Sequence, residues 1–283
     1  MAATTSAAGT PRARALSASL RKARLASGIG LRELGRMLSI SHTDLSLWEH
    51  GHRVPNVEIV AMILAALRTV PEERERILDL ARNAREPNWL AVGMPGLTQQ
   101  LAGAMESERS AAVITEWSQS LIPGLLQDPD YARVCVSQNP DDIERRMLVR
   151  IGRREVITKS DPVQMNAFIG EVALRDPIVP PAQMAEQLNH LVQLGERPNI
   201  DIWVVPSAIG YHPGLIGPFV LYDFPDSPPV VHFEHYSSGA FVPDADNVKA
   251  YRFAVATLKK VGVGPGESAG FITRIAEEWR EKS

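Results

Sequence analysis

Six residues between positions 41 and 50 carry side chains suited to reading a base edge: Ser41, His42, Thr43, Ser46, Leu47 and His50. At that spacing they share one side of a helix. Their hydroxyls and imidazoles donate and accept hydrogen bonds over a short reach, and Leu47 offers an apolar surface for a thymine methyl. A solvated helix face ordinarily carries Glu and Lys, whereas this one carries His, Thr and Ser. The chemistry implied is hydrogen bonding to bases in a major groove. Arg32, Arg36 and Arg53 flank the group, and fixed guanidinium charges there suit phosphate contacts. Glu49 lies among them. Phosphate repels a carboxylate, so Glu49 is expected to hold the local loop rather than touch DNA.

Such a face needs a second helix packed close behind it. Within residues 31–50, Leu34, Gly35, Leu38, Ile40, Leu45 and Trp48 stand at the offsets that a helix-turn-helix requires. Gly35 lets the helices approach, Ile40 plugs the turn, and Leu45 and Trp48 anchor the back of the second helix. Upstream, Leu16, Leu20, Ala23 and Ala26 recur at helical spacing until Gly28 and Gly30 break the chain. Ser41 suits an N-cap, and Gly51 and Pro55 end the helix. Asn56 caps a fourth helix with Ile59, Ile63, Leu64 and Leu67 inward. Pro71 opens a fifth, with Glu72, Glu73 and Glu75 at its start and Arg82 and Arg85 at its end, an order that complements the helix dipole. A plain helical bundle would explain the apolar stripes but not the His, Thr and Ser of the uncovered face.

The run Ser46, Trp48, Glu49, Gly51 and Pro55 resembles the XRE family of phage-repressor-like helix-turn-helix regulators. Further on, Glu106-Ser107-Glu108, Leu121 to Gln127, Tyr131-Ala132-Arg133, Glu171 to Arg175, Arg197 to Ile200 and Gly217-Pro218-Phe219 are similar to the actinobacterial antitoxin-like, WhiJ-like group of that family. The resemblance spans residues 14–280. It implies a transcriptional regulator encoded beside a small toxin-like or regulatory partner protein. The sequence departs from the family pattern at Ser39, where glycine is usual in the turn, and at Leu47 and His50, where arginine is common. A left-handed Ser39 would cost about 1 kcal/mol relative to glycine. The two lost arginines imply a different operator.

Beyond residue 96 the pattern becomes α+β. Strands are expected at 112–116, 164–169, 200–205, 219–223 and 230–234, and helices at 98–109, 129–137, 141–158, 182–194, 245–261 and 267–281. The expected organisation is a disordered tail at 1–13, a helix-turn-helix domain at 14–86, a Pro/Gly-rich linker at 87–96, and an α+β domain at 97–283 for dimerisation and recognition of a signal or partner. In the last helix Phe271, Ile275 and Trp279 form an apolar stripe, read as the dimer contact, with packing on its own sheet as the alternative. Tyr211 and His212 lie in a long Pro/Gly-rich loop and are candidate partner or ligand contacts. Arg145, Arg146, Arg150, Arg153 and Arg154 crowd one helix and are read as a solvated face paired with acids. His232, Glu234, His235, His212 and Glu171 lack the spacing of a metal set. No metal, cofactor or catalytic residue is expected, and no P-loop or Gly-x-Ser-x-Gly elbow occurs.

Composition agrees with one end touching a polyanion. The net charge is −3, yet residues 1–70 hold nine Lys and Arg against four Asp and Glu. A single cysteine, Cys135, excludes an intramolecular disulfide and zinc sites built from several thiolates. The arginine-containing start reads as patterned helix rather than a transit peptide, and the longest apolar run is far shorter than a membrane helix. The expected partners are therefore a double-stranded operator, a second copy of the chain and a small protein. The expected compartment is the cytoplasm, away from membranes.

Overall fold

A computed structural model describes residues 11–84, 94–136, 143–235 and 239–283. The chain divides into two compact units. One gathers the described residues up to Ser110 with Asp223–Val248; the other holds Ala111–Tyr222 with Lys249–Ser283.

In the first unit, α1 (Pro11–Ser27) buries Leu16 and Leu20 and leaves Ala26 exposed. The helix starts inside the segment expected as tail, because Ala13, three residues before Leu16, extends the inward stripe and is fully buried. Gly28 at φ 72° turns the chain out of the helix. There follow α2 (Leu31–Leu38), α3 (His42–Glu49), α4 (Val57–Ala66), α5 (Pro71–Asn83) and α6 (Met94–Ser110). Residues 1–10 of the expected tail and 87–93 of the expected linker lie outside the described residues, and α6 occupies the linker's last positions. Leu16, Leu20, Leu34, Leu45, Val60, Ile63, Leu64, Leu67 and Ile77 form one apolar core. Ile59, expected inward, is half-buried, and Val60 takes that place.

Two backbone features set the angle between α2 and α3. A Cβ on Gly35 would stand 2.7 Å from the Ile40 carbonyl oxygen, so only glycine allows this approach. Ser39 ends α2 in the left-handed region at φ 56°, ψ 36°. Its N–H donates to the Arg36 carbonyl at 3.4 Å, and that of Ile40 to the Gly35 carbonyl at 2.9 Å. Glycine pays no Cβ penalty there. We expect Ser39→Gly to stabilise the protein by roughly 0.5–1 kcal/mol in denaturant unfolding; a lower midpoint would show that the serine side chain holds the turn.

The second unit contains β1 (Val113–Ser118), α7 (Pro129–Val136), α8 (Ile143–Thr158), β2 (Gln164–Gly170), α9 (Glu171–Arg175), α10 (Pro181–Gly195), β3 (Ile200–Val205) and β4 (Phe219–Asp223, of which Asp223 falls to the first unit). The strand order is β3-β2-β1-β4. β1 pairs parallel with β2 from Val113↔Gln164 to Ser118↔Ile169, and β2 pairs parallel with β3 from Met165↔Ile200 to Gly170↔Val205. Parallel neighbours need crossover connections, which α7–α8 and α9–α10 supply. β2 is therefore buried almost throughout, as a strand covered on both faces is. The chain returns to the first unit as the antiparallel pair β5 (Val230–Glu234) and β6 (Gly239–Val242). It finishes with α11 (Ala245–Val261) and α12 (Pro265–Arg280), and α12 packs on α10 and β3. The six strands and the helices around them make the region after the helix-turn-helix α+β, as its sequence pattern implies.

Candidate nucleic-acid interface

α3 turns two different faces outward and inward. Leu45 is 1% exposed, and Trp48 packs half-buried against the same core. Ser41, His42 and Thr43 are exposed; Ser46, Leu47 and His50 are half-buried. The six residues proposed to face bases thus all lie outside the core. Their hydrogen-bonding capacity is not equal. The Ser41 hydroxyl accepts from the Thr43 N–H at 3.2 Å and caps α3, so its primary work is local. His50 Nδ1 lies 2.8 Å from the Ser46 carbonyl oxygen. A carbonyl can only accept, so Nδ1 carries the proton and the ring folds back on its own helix. His42 and Thr43 remain the exposed side chains with the freest reach, while the Ser46 hydroxyl stands 3.4 Å from His50 Nδ1.

Glu49 is 8% exposed and turns away from that face. Its two oxygens accept from Arg24 Nε and Nη2, each at 2.7 Å, in a bidentate pair. Arg24 Nη1 also donates to the Ile29 carbonyl at 3.3 Å. Hydrogen bonding to Glu49, against the cost of burial, raises the Arg24 pKa above its ordinary value. This clamp joins the end of α1 to the end of α3 and fixes the tilt of α3. Nothing in the spacing of Arg24 singles it out; the pairing spans 25 residues.

Arg32 and Arg36 are exposed one turn apart on α2, a geometry open to phosphate. Arg53 is also exposed, and its Nη1 stands 3.5 Å from Asp44 on α3. A side chain two-thirds exposed in a 3.5 Å pair is weakly held and screened by salt. We expect Arg53→Ala to weaken binding to all duplexes alike and to reduce the slope of log K against log salt by about 1. A sequence-dependent loss with an unchanged slope would place Arg53 on a base instead.

The remaining candidates fall into place in the second unit, with one exception. Tyr211 is 79% exposed, whereas His212 is 5% exposed and corrects the expectation that both meet a partner. The His212 ring packs edge-on against Trp117 at 5.8 Å, and burial lowers its pKa. Trp117 Nε1 donates to the Gly214 carbonyl at 2.8 Å, and a Cβ on Gly214 would stand 2.7 Å from the indole. The Glu171 carboxylate accepts from the Ser207 N–H at 2.9 Å. The loop is thus pinned at both ends with Tyr211 turned out.

The apolar stripe of α12 is also corrected. Ile275 is 2% and Trp279 6% exposed, both covered within the unit, and Trp279 Nε1 donates to the Leu174 carbonyl at 2.9 Å. Phe271 is half-buried with the Arg274 guanidinium over its ring. The stripe serves the contact with α10 and β3, so Ile275 and Trp279 cannot face a second copy.

The arginine-rich helix is α8. Arg154 Nη2 donates to the Gln127 carbonyl at 2.7 Å, and burial lowers its pKa. Arg150 lies against Gly124, in space that a Cβ would fill. Both arginines hold the turn after β1, while the Arg145 side chain lies outside the described residues. The exception to the second unit is His232, on β5, which stacks on Phe241 at 4.2 Å. Among the described residues no group of three His, Cys, Asp or Glu could hold a metal, and no helix is long and apolar enough to cross a membrane.

Two family models match the chain. A helix-turn-helix domain matches residues 15–77, from within α1 to the middle of α5. The domain of unknown function DUF5753 matches residues 101–274. No curated protein and no solved structure matches.

Proposed function

The chain belongs to the DUF5753 family, and on that premise we propose that it is a sequence-specific DNA-binding transcriptional regulator of the XRE type, in the antitoxin-like, WhiJ-like group. The helix-turn-helix reads an operator, and the region after it dimerises and recognises a partner protein or small ligand. The observation that carries this is the uncovered face of α3. Its back is locked by Leu45, Gly35 and the Arg24–Glu49 clamp, while His42 and Thr43 stand exposed on the other side. A helix held this rigidly behind a face of short polar side chains suits a major groove. Arg32, Arg36 and Arg53 supply phosphate contacts. The setting is cytoplasmic, and no step calls for a cofactor or catalytic residue.

A second function, neutralising a small neighbouring protein as an antitoxin does, draws support from Tyr211. A pinned loop that turns one large aromatic side chain to solvent suits protein recognition.

Dimerisation follows from operator geometry. One helix-turn-helix reads a few base pairs, and specific sites usually present two half-sites about one helical turn apart. Light scattering of the full chain at micromolar concentration is expected to give twice its 31.0 kDa mass. Changing Ile275 to a polar residue is expected to unfold the second unit rather than yield a folded monomer. A monomeric wild-type chain would contradict dimerisation.

A further inference from the structure

A cleft of about 520 Å³ opens within the first unit, between α1, the end of α3 and the segment Phe224–Ser227. Small-molecule sites span roughly 300–1,000 Å³, so the space suits a ligand. We propose that this cleft binds a small amphipathic anion, an organic molecule with an apolar body and one carboxylate, sulfonate or phosphate group, and that its binding weakens the hold on DNA.

The walls specify both halves of that ligand. Ala18 and Leu25 of α1 line one side, and Phe224 and Pro225 face into the cleft from the other. Between them they offer an apolar slot. Arg14, Arg21 and Lys22 also line it. Arg14 is only 6% exposed; its Nη2 donates to the Ser107 hydroxyl at 3.1 Å, and its guanidinium lies 4.3 Å over the Phe224 ring. A hydroxyl and an aromatic face thus hold a buried cation at the wall. Two carboxylates line the same space, Glu49 and Asp226. Glu49 is engaged by Arg24 through both oxygens, which leaves Asp226 beside the two exposed cations of the rim, Arg21 and Lys22. The complementary occupant is anionic at one end and greasy at the other.

The floor gives the coupling. His50, the C-cap of α3, and Gly51 line the cleft, so an occupant touches the end of the recognition helix. It also adds negative charge to the unit that meets a polyanion, which lowers DNA affinity. Linkage makes the effect mutual, so DNA weakens ligand binding by the same factor. This second clause rests on the DNA-binding function proposed above; the binding clause stands without it.

The probe is 8-anilinonaphthalene-1-sulfonate, an amphipathic anion whose fluorescence rises in an apolar site, titrated into the full chain. One saturable site per chain is expected. Arg21→Glu with Lys22→Glu reverses the charge of the rim, and Ala18→Trp fills the slot; each is expected to weaken binding at least tenfold. Ile216→Ser, at an exposed apolar residue of the second unit, is the control and is expected to leave the titration unchanged. If the tryptophan variant misfolds, the charge reversal decides alone. Absence of a saturable site, survival of full affinity in the charge-reversed variant, or loss of binding with Ile216→Ser would each overturn the proposal. In the second arm, saturating probe is expected to weaken duplex binding at least threefold in the wild type and not in the charge-reversed variant. An unchanged wild-type affinity overturns the coupling. No DNA binding with or without probe would instead overturn the recognition function while leaving the titration intact.

Discussion

Replacing His42, Thr43 and Ser46 together with alanine is expected to abolish operator discrimination while leaving the fold intact. A good base contact contributes about 1–3 kcal/mol. Even one such contact at 2 kcal/mol changes affinity roughly 30-fold, and losing the set should weaken specific binding by about 100-fold or more. All three residues lie outside the core that holds α3, so the thermal midpoint is expected to stay within a few degrees. None supplies a fixed charge, so binding to unrelated duplex at low salt should change less than threefold. That contrast separates base reading from general attraction. Normal operator binding by the triple variant would remove α3 from the major groove, and equal losses on every duplex would make the three residues backbone contacts.

Glu49→Ala is expected to have the largest effect on stability. The Arg24 and Glu49 side chains are 13% and 6% exposed, and removing one partner of a buried pair costs about 3–5 kcal/mol, because the other charge stays buried without it. For a helical domain of this size such a loss lowers the unfolding midpoint by more than about 10 °C. DNA binding should fall with it, since the clamp ties α3 to α1. The double variant Arg24→Met with Glu49→Leu is expected to recover most of the stability, because replacing both partners leaves no unpaired charge. Circular dichroism melts check both. A single variant that melts like the wild type would mean that Arg24 finds water or another carboxylate when Glu49 is gone.

What was legible in the sequence depended on how local its cause is. The bounds of β3, β4 and β5 follow from short β-branched and aromatic runs between turn residues, and they match to the residue. β6 is four residues containing Gly239 and Ala240, too short and too plain to show a period. Gly35, Ser41 and Asn56 were legible because a turn or a cap is made by residues within a few positions. The Arg24–Glu49 clamp and the seating of His212 on Trp117 were not, because tertiary packing creates them across 25 and 95 positions. The α12 stripe lies between these cases. Helical periodicity shows that Ile275 and Trp279 must be covered, but not that α10 and β3 rather than a second copy cover them. For the same reason the run of arginines on α8 looked like surface, while Arg154 is turned onto the Gln127 carbonyl.

The central claim is that α3 reads a specific DNA sequence. The most direct measurement is repeated selection of bound duplexes from a random pool by the full chain, at physiological salt. The enriched set is expected to converge on one motif with two related half-sites about one helical turn apart. The triple variant at positions 42, 43 and 46 should fail to enrich it. Retention of duplex with no motif, or the same motif from the wild type and the triple variant, would contradict the assignment of that face to base recognition.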